Sequence, residues 1–309
     1  MVWIDTVRPI AFNRLIAHVG QVARRTNIRE SVQLSAGEGS IIARVDAPVV
    51  CTGIERSFGG LKALKGVDLH VEPGEIFGLV GPNGSGKTTM VNVITGFYPP
   101  QAGRVKLFGQ DTTQLAPHRV AALGVARTFQ NLALFRGMSV LDNILMGRHV
   151  HMRPSALATL FYWIWAAREE VAHRRVVEEV IDFMQLQDIR DEPVEVIPLG
   201  LQKRVELARA LVAQPKLLIL DEPMAGMNQE EKEYIARFIL DARDERDVSI
   251  LLIEHHMDVV TAICDRIIVL SYGETIAEGE PRAAIADPKV VKAYLGERAA
   301  ARVIQGGHV

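Results

Sequence analysis

The stretch that decides the fold is "EIFGLVGPNGSGKTTMVNVITGF", residues 75–97. It opens with a short apolar run of strand character, passes through a glycine-rich turn and continues in a helical pattern. Inside it, residues 81–89 fit the spacing G-x-x-x-x-G-K-[ST], with Gly81, Gly86, Lys87 and Thr88 in the fixed places. Glycines at those places let backbone N–H groups curl round phosphate oxygens, and the following helix turns its positive end towards the same anion. Gly81, Pro82, Asn83, Gly84, Ser85, Gly86, Lys87, Thr88 and Thr89 are therefore the candidate phosphate-binding residues. Lys87 is expected to reach the β- and γ-phosphates of a nucleotide, and the Thr88 hydroxyl to ligate Mg²⁺.

A second stretch, "VIPLGLQKRVELARALVAQPKLLILDEP" (residues 196–223), supplies the other half. Its "LLIL" reads as a buried strand, and Asp221 and Glu222 emerge together at the carboxyl end, where open α/β sheets bind ligands. Adjacent carboxylates repel, and a divalent cation beside one makes the pair workable. Asp221 is expected to hold the metal through water and Glu222 to act as general base on an attacking water.

Working outward, "VVCTGIERSF" (49–58) and "LHVEP" (69–73) read as strands of a small antiparallel sheet, and "GRVKLFG" (103–109) as another strand. From Ala126 to about Val196 the texture is helical, with apolar positions Val176, Val177, Val180, Ile181 and Met184 set among charges. Strand and helix then alternate through "KLLIL", "QEEKEYIARFILDARDE", "VSILLIEH", "MDVVTAIC" and "RIIVL", followed by a hairpin, "SYGETIAEG". The expected fold is α/β: a P-loop NTPase core with a mostly parallel sheet, a small antiparallel β-subdomain and a helical insertion subdomain at about 126–197. Residues 1–47 read as an extension and linker, 48–297 as one ATP-binding domain, and 298–309 as a tail.

Composition agrees with a globular protein: 48% of the 309 residues are hydrophobic and 23% charged. A formal net charge of −2 gives no global field to attract nucleic acid or anionic lipid. Cys51 and Cys264 match no metal or redox spacing and are expected to be buried structural thiols in a reducing compartment. The most apolar run, "ALATLFYWIWAA" (156–167), is short of the roughly twenty residues a spanning helix needs. Its aromatics at 161–165 are expected to pack on neighbouring helices, with contact to a membrane partner as the alternative. Residues 1–29 carry arginines without the apolar core of a signal peptide, and fit either a basic amphipathic helix or a tail.

Taken together, these motifs resemble the ATP-binding subunits of ABC transporters, from about Val49 to Glu297. The resemblance implies ATP and Mg²⁺ as ligands and gives weakly marked residues a role. "RTFQN" puts Gln130 at the Q-loop, which links nucleotide to the membrane partner, so Gln130 joins Thr88 and Asp221 at the metal and Glu222 and His255 in catalysis. "LLIEHHMDVV" puts His255 at the switch histidine, and His256 takes a place where relatives often carry Asp. "AGMN" (225–228) falls at the D-loop, and Phe58 stands where the family stacks an aromatic ring on adenine.

One motif departs from the family. Its L-S-G-G-Q signature aligns here with Ile197, Pro198, Leu199, Gly200 and Leu201, and only Gly200 keeps its identity. In the family that turn contacts the γ-phosphate held by the opposite subunit of a head-to-tail pair. Pro198 lacks both the serine hydroxyl and its own N–H, at about 1.5–3 kcal/mol for each charge-assisted hydrogen bond lost.

Finer texture, in "GVARTFQNLALFRGMSVLDNILMGRH", "LGLQKRVELARAL" and "DEPMAGMN", is similar to importer subunits for branched-chain amino acids and related amides. That branch implies a second ATPase subunit, identical or different, membrane permease subunits, an external solute-binding protein acting indirectly, no nucleic acid, and a peripheral place on the cytoplasmic face of the plasma membrane. Two rival readings are a nucleotide-binding regulatory subunit with little hydrolysis and a soluble ABC ATPase outside transport. A single P-loop without sustained heptads speaks against the soluble ATPase, Glu222 and His255 against inertness, and the lack of an N-K-x-D motif against a GTPase.

Overall fold

The computed structural model describes residues 47–128, 132–148 and 162–294, with backbone alone for 162–172. Gln130, the extension before residue 47, the side chains of the aromatic run at 161–165 and the C-terminal tail lie outside the described residues.

Two sheets share the chain. The first is antiparallel, in the order β2-β1-β4-β5, from β1 (Val49–Phe58), β2 (Leu61–Val71), β4 (Ala102–Leu107) and β5 (Gln110–Asp111). The second has the order β10-β9-β3-β8-β7-β6. Its parallel strands are β3 (Ile76–Val80), β6 (Val125–Arg127), β7 (Leu217–Asp221), β8 (Ser249–Ile253) and β9 (Arg266–Ser271), and β10 (Glu274–Gly279) closes one edge antiparallel to β9.

The apolar runs of β3, β7 and β8 are continuous because both faces of this sheet are covered. Alternation then sorts their residues. Ile76, Leu218, Leu220, Ile250 and Leu252 enter one core with the helices α3 (Val140–Met146), α5 (Leu199–Leu211) and α6 (Gln229–Arg246) and the far end of α4 (Tyr162–Phe183). Phe77, Leu79, Leu217, Ile219, Leu251 and Ile253 enter a second core with the antiparallel sheet and with α1 (Lys87–Ile94), the helix after the glycine-rich turn. Truncating any of these leucines to alanine would cost about 2–5 kcal/mol.

Three connecting helices complete the described α-helices: α2 (Pro117–Ala122), α7 (Met257–Ile263) and α8 (Pro281–Ile285). Helical texture begins in the sequence at Ala126, yet Val125–Arg127 hydrogen-bond in parallel to β7 as an edge strand. With one fully buried position, Val125, so short a strand carries no readable alternation. The Arg148 guanidinium then ties the helical region to the core. It donates to His173 Nδ1 (3.0 Å), the Val212 carbonyl (2.9 Å) and Gln214 Oε1 (3.0 Å), joining α4 to the chain that leaves α5. Of the thiols, Cys51 is buried, whereas Cys264 is only partly so, because it sits at the rim of the parallel sheet where α7 ends.

Candidate active site

The site starts where β3 ends. Gly81 has φ 150°, and a Cβ there would stand 2.2 Å from the Leu270 carbonyl oxygen, so only glycine lets the loop turn off the sheet. Gly86, at φ 110°, caps α1, and a Cβ on it would stand 2.6 Å from the Ala63 carbonyl oxygen on β2. These two approaches wedge the loop between the sheets. The buried Lys87 ammonium lies within the loop and donates to the carbonyls of Gly81 (2.6 Å) and Pro82 (2.9 Å). Ser85 Oγ is buried and has no hydrogen-bond partner among the described residues. A buried hydroxyl is not ordinarily left so, and a glycine-lined cradle with a lysine and an orphaned hydroxyl fits a phosphate chain. Thr88 is exposed and Thr89 half-buried in the first turn of α1, while Asn83 and Gly84 are exposed at the loop's crest.

Asp221 closes β7 and is buried, paired with Arg127 from the edge strand at 2.9 Å. Arg127 also donates to Asn92 Oδ1 on α1 (2.6 Å), and the Asp221 N–H donates to Thr128 Oγ1 (3.3 Å). The arginine therefore connects the acidic strand end to the helix of the phosphate loop. Thr88 and Asp221 are the residues that would hold a divalent cation, and Arg127 offsets the buried carboxylate's charge. The sequence quotes Arg127 in "RTFQN" but gives no sign of its partner.

Glu222, next along, has φ 50°, a left-handed conformation that a non-glycine residue adopts at some energetic cost. Its N–H donates to the Ile253 carbonyl (2.9 Å), and Oε1 lies 3.9 Å from His255 Nδ1, too long for a direct hydrogen bond. The parallel register explains the meeting: Asp221 lies opposite Ile253, so the residues that follow leave the sheet side by side. Behind them sits Glu254, fully buried, with Oε1 accepting from the Met224 N–H (3.2 Å) and Oε2 from the His255 N–H (3.2 Å). His256 Nδ1 is 3.0 Å from Oε2, and the two imidazoles lie with centroids 4.1 Å apart, tilted by 37°. One atom from each of Glu254, His255 and His256 falls within 4.8 Å of the others, a spacing that can hold a metal ion.

Phe58 ends β1, half-exposed, edge-on to Tyr98 at 5.2 Å, with the Arg56 guanidinium over both rings. It pairs with Leu61 in register, close along β2 to the Ala63 carbonyl that abuts Gly86. Tyr98 and Arg56 were not singled out in the sequence, where nothing links them to Phe58.

Pro198 is the N-cap of α5, which has no side-chain cap, and the helix starts at the exposed Leu199. Gly200 is buried: a Cβ on it would come within 2.6 Å of Glu231 Oε1. Glu231 belongs to the capping box of α6, accepting from the Asn228 N–H (2.9 Å) while its own N–H donates to Asn228 Oδ1 (3.0 Å). Gly200 thus packs closely against the Glu231 side chain inside this chain. Arg209 of α5 donates to the Ala133 carbonyl (2.5 Å).

Comparison with known proteins gives a consistent picture. The ABC transporter family profile matches residues 64–225, and that of a branched-chain amino acid ATP-binding cassette transporter matches residues 274–300. The high-affinity branched-chain amino acid transport ATP-binding protein BraF of Pseudomonas aeruginosa is 39% identical over 246 residues, covering 80% of this chain and 96% of its own. LivG of Escherichia coli, named for the same transport, is 38% identical over 252 residues, covering 79% and 96%. Among solved structures, a nucleotide-free ATP-binding cassette from an ABC transporter superposes with TM-score 0.70 at 34% identity, covering 80% of this chain and 98% of that one. A cassette in its ADP conformation gives 0.71 at 34%, covering 81% and 99%.

Proposed function

Because the chain belongs to the ABC transporter family of ATP-binding proteins, we propose that it hydrolyses ATP to drive an importer of branched-chain amino acids or related amides. The observation that carries hydrolysis is the placing of Glu222. At the left-handed end of β7 its carboxylate lies 3.9 Å from His255, which follows β8, the strand paired with the β3 that leads into the Lys87 loop. In this reading Lys87, Ser85 and the loop amides bind and orient the phosphates. Glu222 takes the proton from the attacking water, and His255 holds the γ-phosphate side. Thr88 and, through water, Asp221 would hold a Mg²⁺, which would neutralise charge on the phosphates. Phe58 stacks on the adenine, and Gln130 senses the nucleotide for the membrane partner.

The solute class is supported by the names of BraF and LivG and by the match over residues 274–300. No helix among the described residues is long and apolar enough to cross a membrane, which agrees with a peripheral subunit docked on permease subunits at the cytoplasmic face of the plasma membrane. There it pairs head to tail with a second ATPase subunit, and residues 48–297 form the cassette. The regulatory alternative rests on Pro198, which leaves α5 without a side-chain cap.

Mg²⁺-dependent ATP turnover of the purified chain, alone and with co-expressed partner subunits, separates the readings. Hydrolysis that Glu222→Gln abolishes is the expected result. ATP binding without turnover in either setting would favour a regulatory subunit.

A further inference from the structure

We propose that Glu254 is a positioning residue for hydrolysis: its buried carboxylate fixes the separation between Glu222 and His255. The proposal rests on the reading of Glu222 as general base.

A carboxylate that is fully buried bears a desolvation penalty of several kcal/mol unless it is paired or well hydrogen-bonded. Among the described residues, the basic side chains within 4.0 Å of Glu254 are His255 and His256. It also accepts from two backbone N–H groups, which come from the ends of different strands. Oε1 takes the N–H of Met224, on the chain leaving β7 just beyond Glu222. Oε2 takes the N–H of His255, on the chain leaving β8. Each oxygen therefore holds one of the two arms that carry the reacting side chains.

This arrangement continues the sheet past its end. Ladder pairing between β7 and β8 stops at Asp221 opposite Ile253, and the Glu222 N–H adds one last bond to the Ile253 carbonyl. Beyond that, the left-handed turn at Glu222 takes its chain away from β8. The Glu254 side chain spans the gap in place of backbone pairing. Glu222 and His255 are flanked by these links at 2.9 and 3.2 Å, and their side chains face each other at 3.9 Å. His256 leans on the same Oε2, which sets its ring, tilted by 37°, against that of His255 from the other side. The hydrogen bonds of Glu254 go to Met224, His255 and His256 at the strand ends, so its effect is expected on the chemical step.

The division of labour between the two oxygens makes Glu254→Gln an informative variant. It keeps the volume but offers one acceptor, so one arm faces an N–H₂ donor and is released. The expected result is a fall in kcat of about 10–100-fold, the scale of a misplacement near 1 Å, with KM for ATP unchanged within about twofold. Glu254→Asp retains both oxygens and the charge but is one methylene short; it also lowers kcat with KM held, and serves if the glutamine variant does not fold. In a His255→Ala background, Glu254→Gln should lower the residual rate no further. Full kcat in both single variants, a parallel loss of ATP affinity, or an equal loss with and without His255 overturns the proposal. Wild-type turnover that Glu222→Gln abolishes, with Glu254 variants as fast as wild type, overturns the proposal alone. Absence of Glu222-dependent turnover overturns the underlying reading and this proposal with it.

Discussion

Arg127 illustrates how a residue with no motif of its own comes to hold a site together. Its guanidinium joins the buried Asp221 carboxylate to Asn92 on the helix after the phosphate loop. A buried ion pair adds little net stability over well-packed apolar residues, but breaking one by removing a single partner costs about 3–5 kcal/mol. Arg127→Ala should therefore lower the free energy of urea unfolding by roughly that amount, whereas Arg127→Ala combined with Asp221→Asn should recover part of it. A loss below about 1 kcal/mol in the single variant would show that water reaches Asp221 and screens it. Glu222 shows the complementary case, a residue whose side chain faces His255 only because its backbone adopts a left-handed turn.

Among the elements, α5 is the one that opens on a proline where the resemblance to ABC subunits leads one to expect a serine. Pro198 fits an N-cap geometrically, since its φ of −56° and ψ of 154° are those of a cap, and it needs no N–H there. What it lacks is a side-chain acceptor. Pro198→Ser restores that acceptor, a gain of about 1 kcal/mol, and loses proline's restriction of the unfolded chain, about 0.4–1 kcal/mol. The two nearly cancel, so the unfolding midpoint should move little. ATP turnover of a homodimer should nevertheless rise, because the hydroxyl is offered to the γ-phosphate. Unchanged turnover with an unchanged midpoint would mean that the signature turn of this chain closes no site in its own homodimer.

At the scale of the molecule, the core beneath the phosphate loop is shared: Cys51 from the antiparallel sheet and Met90 and Val91 from α1 pack into one cluster with both sheets. Burial, helped by Asp68, pushes the Cys51 thiol well above the ordinary thiol range. Its neutral form thus contributes stability that is complete below the ordinary thiol pKa of about 8.5 and is lost as pH rises above it, where the unfolded chain ionises first. Thiol reagents should modify Cys51 only through unfolding. Saturation with ATP and Mg²⁺ at about a hundred times Kd should slow that labelling roughly a hundredfold, equivalent to about 2.7 kcal/mol. Labelling that ignores nucleotide would show that the antiparallel sheet opens independently of the loop.

The sequence alone determined the elements and the chemistry of the loop. A glycine spacing tied to phosphate binding, two carboxylates after an apolar strand, and uninterrupted buried runs in β3, β7 and β8 are local patterns, each written within a few residues. It placed strand 49–58 and the helix after residue 86 for the same reason. Only tertiary structure decided what stands next to what. The edge strand at Val125–Arg127 exists because β7 is there to pair with it, and Arg127 meets Asp221 across that pairing. Gly200 packs against Glu231 from another helix, and Glu254, silent as a letter between Ile253 and His255, becomes the bridge between two strand ends. Propensity and periodicity act along the chain, whereas hydrogen-bond satisfaction in a buried interior acts between segments far apart in it.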